Sequence, residues 1–359
     1  MQTSIKINEN KRRPNIITRL QQKLFLWLRL SVKPVVKVYQ GYATAHHVMV
    51  MGHVLRLSPL PRKKYRGNIW TNSLALIRSF MVSPMANRIV IMQWQNITLE
   101  TRTAKDGFFR FVGSPATVPL PGYHLVQVSL VHRKGGSLPP RAVGEGHIVV
   151  SHENGFGIIS DIDDTFLISH STNICKRLYV LFTRNAHTRR PFDGVVKHYQ
   201  LLSAAHATTQ QPNPFFYVSS SEWNLYSFLQ EFTLKNQLPK GVFLLNQLKT
   251  FTQLLKTGNN KHATKFTRIV RVMEAYPSQV FILLGDDSQM DPHIYASVVA
   301  HFPDRVRCVY LRHVYEKNIL NVHRLIQQIR TAGVPVCHFE HSRDAIEHSK
   351  SIGLVDRLP

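Results

Sequence analysis

Hydrophobic and polar positions follow two different rhythms along this chain, and the change falls near residue 155. From 35 to 150 the apolar residues come in short, β-rich runs at 35–39, 48–57, 89–94, 97–103, 108–112, 125–131 and 147–150. Turn residues separate them. Asp106-Gly107 ahead of Phe108 is a hairpin signal, and Pro119, Pro121 and Gly122 break the chain before the sixth run. Many short strands with turns between them predict a β-sandwich. Residues 69–82 depart from this rhythm and read as a helix.

Beyond 155, short apolar runs at 156–160, 215–218, 241–245, 280–284, 306–311 and 334–339 alternate with longer amphipathic stretches. Those stretches lie near 192–206, 222–235, 262–275, 292–301, 316–331 and 342–350. The alternation predicts an α/β unit with a mostly parallel sheet and helices on both faces. No internal repeat or low-complexity segment interrupts it.

The start of the chain follows neither pattern. Residues 1–15 are polar and basic and read as disordered. Over 16–33, Ile16, Ile17, Leu20, Leu24 and Leu28 recur at helical spacing, with Arg19, Lys23 and Arg29 beside them. A basic helix that also carries Phe25 and Trp27 can lie flat on an anionic bilayer. The same pattern also suits an N-terminal helix packed on its own protein. The expected organisation is a basic arm and amphipathic helix over 1–34, an all-β sandwich-like domain over 35–152 and an α/β domain over 153–359.

Composition adds one feature. A length of 359 residues and 43% hydrophobic content suit two domains with real cores. The charge is unusual: 45 Lys+Arg against 21 Asp+Glu give +24. Residues 1–66 hold 14 Lys/Arg and one acid, Glu9, so +13 of that charge sits in the first fifth of the chain. A clustered cationic arm suits an anionic surface, membrane or nucleic acid, and equally a solvated face. No apolar run reaches 18 residues, and 24–28 lacks a cleavage site, so neither a transmembrane helix nor a signal peptide is expected. Cys175, Cys308 and Cys337 lack CxxC spacing, which argues against a disulfide framework or a cysteine zinc site and fits a reducing compartment. The histidines of the β-rich region (His46, His47, His53, His124, His132 and His147) are scattered and read as structural.

Candidate chemistry begins where Ile158-Ile159-Ser160 runs into Asp161-Ile162-Asp163-Asp164-Thr165. A strand that delivers carboxylates to its C-terminal tip can hold a hard cation beyond the edge of an open α/β sheet. Alone, an Asp-x-Asp also suits glycosyltransferases. A calcium loop fails, because its sixth position is Phe166 and its twelfth is Thr172. Three further polar signatures follow in order: Ser219-Ser220-Ser221 after a strand, Lys265 early in a helix, and Gly285-Asp286-Asp287 through Asp291 after another strand. Together they supply what phosphoryl transfer needs. One carboxylate can attack phosphorus, and a second can donate and accept the proton. Hydroxyls and a lysine can bind the phosphate, and further acids can hold Mg²⁺.

This ordered set resembles the haloacid dehalogenase superfamily. Within it, the longer matches resemble the catalytic-domain family of the actin-patch-associated phosphatidate phosphatase. They are 159–165, Tyr217-Val218-Ser219-Ser220-Ser221 with Trp223-Asn224-Leu225-Tyr226, Leu284-Gly285-Asp286 with Asp291-Pro292 and Ile294-Tyr295, and Val309-Tyr310-Leu311-Arg312. The resemblance covers about 155–315 strongly and, through Val38-Tyr39-Gln40-Gly41-Tyr42, the β-rich region more weakly. It implies a Rossmann-like parallel sheet, and an enzyme that converts phosphatidate to diacylglycerol at a membrane surface through an aspartyl-phosphate. It implies Asp161 as nucleophile, Asp163 as general acid/base, and Lys265 as the bridge between nucleophile and phosphate. Ser219, Ser220 and Thr165 would bind substrate. Asp161, Asp163 and Asp286 would hold Mg²⁺, with Asp287 and Asp291 supporting it.

The chain departs from the family pattern at Thr264, where a histidine usually precedes the lysine, at Glu222 and at Asp287. Lys261 therefore rivals Lys265, although the spacing to Tyr276-Pro277 favours Lys265. Arg177, Arg184, Asn185, His187, Arg189 and Arg190 follow the nucleophile motif, where this superfamily carries a flap. They suit contact with an anionic substrate or a solvated loop. A cytoplasmic phosphatase peripheral to the membrane is the expected whole. A phosphatase of nucleic-acid ends or soluble phosphoesters, and a non-enzymatic membrane-binding adaptor, are the alternatives.

Overall fold

The computed structural model of the chain describes residues 30–31, 33–59, 77–132, 139–151, 155–162, 191–207, 212–250, 261–287, 290–314 and 319–355. The basic arm and most of the expected helix over 16–33 lie outside the described residues. The end of that helix is corrected. Leu30–Ser31 form a strand, β1, whose residues pair with Pro59 and Ser58. Leu30 is buried. Of the expected helix over 69–82, only 77–80 is both described and helical.

The β-rich region contains β1, β2 (Val35–Val38), β3 (Gly41–Ala43), β4 (Val48–Pro59), β5 (Ser83–Pro84), β6 (Ile89–Trp94), β7 (Ile97–Arg102), β8 (Phe108–Gly113), β9 (Gly122–Leu130) and β10 (Ala142–Val150). Hydrogen bonds join them in one network, ordered β1-β4-β3-β10-β9-β6-β7, with β2, β5 and β8 also paired to β4. All pairs are antiparallel except β3 with β10. Strand β10 begins five residues before the apolar run that predicts it, at Ala142 instead of His147. Its Gly144-Glu145-Gly146 start looks like a loop in sequence. The glycines serve close packing: a Cβ on Gly144 would lie 2.2 Å from the Val36 carbonyl oxygen.

Strand β4 is buried along both faces from Val48 to Leu55. Its even positions, Val48, Val50 and Val54, join the core of the β-rich region with Val90, Met92, Phe109, Val128 and Ile148. Its odd positions, Met49, Met51 and Leu55, join a second core with residues of the following sheet. The period-two geometry of a strand divides these two sets.

That following sheet has six strands: β11 (Phe156–Asp161), β12 (Phe215–Glu222), β13 (Gly241–Asn246), β14 (Val280–Asp286), β15 (Val306–Arg312) and β16 (Val336–Phe339). Their order is β13-β12-β11-β14-β15-β16, and every pair is parallel. The strands are almost continuously apolar and buried, as expected for strands covered on both faces. Among the described residues six α-helices alternate with them: α1 (Val195–Ala204), α2 (Tyr226–Lys235), α3 (Lys261–Ala275), α4 (Asp291–His301), α5 (Ile319–Thr331) and α6 (Ser342–Ser351). The chain moves outward from β11 to β12 and β13, then returns to place β14 on the other side of β11. The order therefore switches between β11 and β14, where the carboxyl ends of an open α/β sheet leave a crevice.

The two sheets meet through aromatic side chains. Tyr39 stacks on Trp223 with ring centroids 4.1 Å apart and planes at 9°. The Tyr39 hydroxyl hydrogen-bonds His53 Nδ1 at 2.9 Å, and the Gln40 amide donates to the Tyr226 hydroxyl at 3.1 Å. Tyr42 meets Phe216 edge-on at 5.5 Å.

Candidate active site

The register of the central strands aligns three of the polar signatures. Asp161 pairs with Val218, so Ser219 follows directly across the β11–β12 ladder. Ser160 pairs with Leu284, so Asp286 lies just past Asp161 on the other side. Asp161, at the last position of β11, is 1% exposed. Its approach is fixed from the preceding residue: Ser160 Oγ lies 2.7 Å from the Asp161 carbonyl oxygen and 2.7 Å from the Tyr199 hydroxyl.

Lys265 reaches this point from α3. Lys265, Ile269, Val272 and Met273 share the buried stripe of that helix, so the lysine enters the interior with the apolar side chains. Its Nζ donates to Asp161 Oδ1 at 2.7 Å and also to Asp291 Oδ1. Burial alone would lower the lysine pKa. The charges of Asp161 and Asp291, and their hydrogen bonds, outweigh burial and raise it, so Lys265 stays an ammonium. Lys261 begins α3, and its side chain lies outside the described residues.

Asp291 opens α4 with Pro292 behind it, a placement suited to the positive end of a helix. The Asp286 amide donates to Asp291 Oδ2 at 3.4 Å. Gly285 makes room for this arrangement, since a Cβ there would sit 2.6 Å from Asp291 Oδ2 and 2.7 Å from the Tyr295 ring. Asp161, Asp286 and Asp291 are all buried, and each offers a carboxylate oxygen within 4.8 Å of the others.

Ser219 is fully buried, and its Oγ accepts the Ser221 amide at 2.8 Å where the β12–β13 register shifts. Ser220, beside it, is half-buried. The Ser219 carbonyl accepts Arg268 Nη1 at 2.8 Å. Sequence reasoning passed over Arg268, although Lys265 and Arg268 stand at i and i+3 on one helix face.

Asp287 has other partners than the carboxylate group. Its Oδ1 accepts the Val314 amide at 2.8 Å, and its Oδ2 lies 2.5 Å from His313 Nδ1 and 3.0 Å from His338 Nε2. Burial would raise its pKa, but these hydrogen bonds outweigh burial and lower it. His313 and His338 carry no spacing signal, because they follow on separate strands. Asp163, Asp164, Thr165 and the basic residues Arg177, Arg184, Asn185, His187, Arg189 and Arg190 lie outside the described residues.

Comparison with known proteins falls on this same stretch. Residues 156–313 match the family described as Phosphatidate phosphatase APP1, catalytic domain. The chain is 29% identical over 160 residues to Phosphatidate phosphatase APP1 of Saccharomyces cerevisiae, covering 44% of this chain and 26% of that protein. It is 23% identical over 169 residues to an uncharacterized protein of Schizosaccharomyces pombe, covering 46% and 26%. The aligned part thus spans about a quarter of the length of these curated relatives. Among solved structures, a carbohydrate acetylesterase from Xanthomonas citri is 10% identical, covers 81% of this chain and 72% of that chain, and has a TM-score of 0.25. A β-glucuronidase of Bacteroides uniformis is 6% identical, covers 86% and 38%, and scores 0.23. Likeness at these scores carries no argument.

Proposed function

We propose that the chain is a divalent-metal-dependent phosphatase of phosphatidate, a reading supported by the match of residues 156–313 to the phosphatidate phosphatase APP1 catalytic-domain family. The observation that carries this reading is the buried group of Asp161, Asp286 and Asp291 around the ammonium of Lys265. Three carboxylates outnumber one ammonium, and every donor is a hard oxygen. Such a set fits Mg²⁺, and Asp161, Asp286 and Asp291 would hold it. When bound, the cation neutralises charge on the phosphate oxygens.

In the proposed reaction an Asp161 carboxylate oxygen attacks phosphorus. A phosphorus–oxygen bond to Asp161 forms, and the bond to the glycerol oxygen breaks. Asp163 gives that oxygen its proton, releasing diacylglycerol. Asp163 then takes a proton from water, whose oxygen attacks phosphorus, frees phosphate and restores Asp161. Lys265 keeps Asp161 ionised and oriented. Ser219, Ser220 and Thr165 bind the phosphate oxygens in this reading, and Arg268 holds the Ser219 backbone that presents them.

The proposed organisation keeps the basic arm over 1–34, the β-rich domain over 35–152 and a haloacid dehalogenase-like catalytic domain over 153–359. Among the described residues no helix is long and apolar enough to cross a membrane. The arm's charge would bring the enzyme to anionic lipid, each near-surface Lys or Arg adding about 1 kcal/mol. The deciding experiment measures phosphate release with Mg²⁺ from phosphatidate vesicles, phosphoinositides, nucleotides and oligonucleotide ends, with Asp161→Asn as control. Turnover of phosphatidate that the control lacks supports the reading. Turnover confined to nucleotides or oligonucleotides moves the substrate, and none on any phosphoester leaves an adaptor.

A further inference from the structure

We propose that Asp287, His313 and His338 form a second metal site, for a borderline transition cation such as Zn²⁺, separate from the all-oxygen group around Asp161. This goes beyond the phosphatase reading and does not depend on it.

The three donors stand at the carboxyl ends of three adjacent strands. Asp287 follows β14, His313 follows β15 and His338 lies on β16. The ladders bring them together: Asp286 pairs with Arg312, and Leu311 pairs with His338. The scaffold beneath the donors is therefore rigid sheet, which suits a preformed site.

Two ring nitrogens of different kind, Nδ1 of His313 and Nε2 of His338, converge on the same oxygen of Asp287. The other oxygen is taken by the Val314 amide, which fixes the plane of the carboxylate. A ligand carboxylate oriented by an outer hydrogen bond is a common feature of metal centres. His323 packs edge-on against His338 with centroids 6.0 Å apart. Each residue offers a donor atom within 4.8 Å of the others. Small side-chain shifts would bring all three to the roughly 2.0–2.2 Å that zinc requires.

Access and chemistry agree. The Asp287 side chain is fully enclosed, whereas His313 and His338 are 21% and 17% exposed. A cation can enter between the imidazoles and keep water in the remaining position. Two nitrogens and one oxygen favour zinc over magnesium, which prefers oxygen throughout. The two groups of donors, one residue apart in sequence at Asp286 and Asp287, thus differ in the cation they select.

The test uses the untagged full-length chain, stripped by chelator and then saturated with Mg²⁺. Equilibrium dialysis against Zn²⁺ should show one tightly bound equivalent that excess Mg²⁺ does not displace. Co²⁺ in place of zinc should give visible absorption bands of a low-coordinate, nitrogen-bearing site. His313→Gln and His338→Gln, each checked for fold by circular dichroism, should weaken zinc at least tenfold and lose the cobalt bands. Asp161→Asn should keep both. A wild-type chain that binds no zinc under Mg²⁺ saturation overturns the proposal without reference to any variant. So does zinc binding that both histidine variants retain, or that Asp161→Asn removes.

Discussion

Lys265 Nζ stands 2.7 Å from Asp161 Oδ1, although 104 residues of chain separate them. The same ammonium bonds Asp291, so one buried cation orders two carboxylates from different elements. Lys265→Met would leave both carboxylates without that charge in the interior. Removing one partner of a buried ion pair costs about 3–5 kcal/mol. Urea denaturation of Lys265→Met should show a loss of that size, and its phosphate release should fall by at least about a hundredfold. A variant with unchanged midpoint and rate would refute the bridging role.

Chemistry and stability should separate at Asp161. Asp161→Asn keeps a side chain of nearly the same volume and can still accept from Lys265. It should melt within a few degrees of wild type and release no phosphate. Chelation of wild type should abolish release, and Mg²⁺ should restore it. Restoration of the Asn variant by Mg²⁺ would contradict a nucleophilic Asp161.

The contact between Tyr39 and Trp223 predicts that the β-rich region positions the serine segment. Trp223 follows Ser219–Glu222 directly and is buried. Trp223→Ala should cost about 3–5 kcal/mol. Tyr39→Phe, which removes only the hydrogen bond to His53, should cost about 1 kcal/mol. Thermal or urea unfolding measures both, and equal losses for the two would place the value in the hydrogen bond instead of the stack.

Acid should weaken the fold through two histidines. His53 is lowered to about 3 by burial and then by Lys37, and His198 is lowered to about 3 by burial and then by Arg312 and His348. Their ordinary value is 6.5. Between these values the unfolded chain binds more protons than the folded one, so stability falls as pH drops from 6.5 toward 3. Each histidine contributes up to about 1.4 kcal/mol per pH unit. Urea midpoints across this window should fall steadily, and His53→Gln should reduce the slope. An unchanged slope in that variant would show that His53 does not titrate on unfolding.

Gly144→Ala should destabilise the β-rich region by about 1–3 kcal/mol, since its new methyl would press on the Val36 carbonyl. Calorimetry would measure this, and a neutral result would mean that β2 can slide away from β10.

The strands of the parallel sheet were legible because each is a nearly unbroken apolar run, and their helices because their buried faces recur every three to four residues. Lys265 shares such a face with Ile269 and Met273, but its burial was not legible, because a lone lysine on a helix reads as a solvated charge until its carboxylate partners are placed. Strand β1 was hidden because Leu30 closely follows, past Arg29, an apolar stretch with helical spacing. The start of β10 was hidden because glycines chosen for close packing look like a turn. The partners of Asp287 lie 26 and 51 residues away, on later strands, and only the sheet order brings them together. Arg268 shows the same limit, since nothing local says that its guanidinium will reach the Ser219 backbone.

The two-faced burial of β4 has a consequence for the order in which the chain is made. Synthesis delivers β4 long before Phe216, Tyr276 and Phe281, three of the aromatic residues that share a core with Met49, Met51 and Leu55. The even side of the strand finds its cover within the first 150 residues, while the odd side waits for the far sheet. A nascent chain paused between the two carries a greasy flank covered only in part, by Tyr39, Tyr42 and Phe80, and that interval is when this protein is most exposed to self-association or most in need of a chaperone.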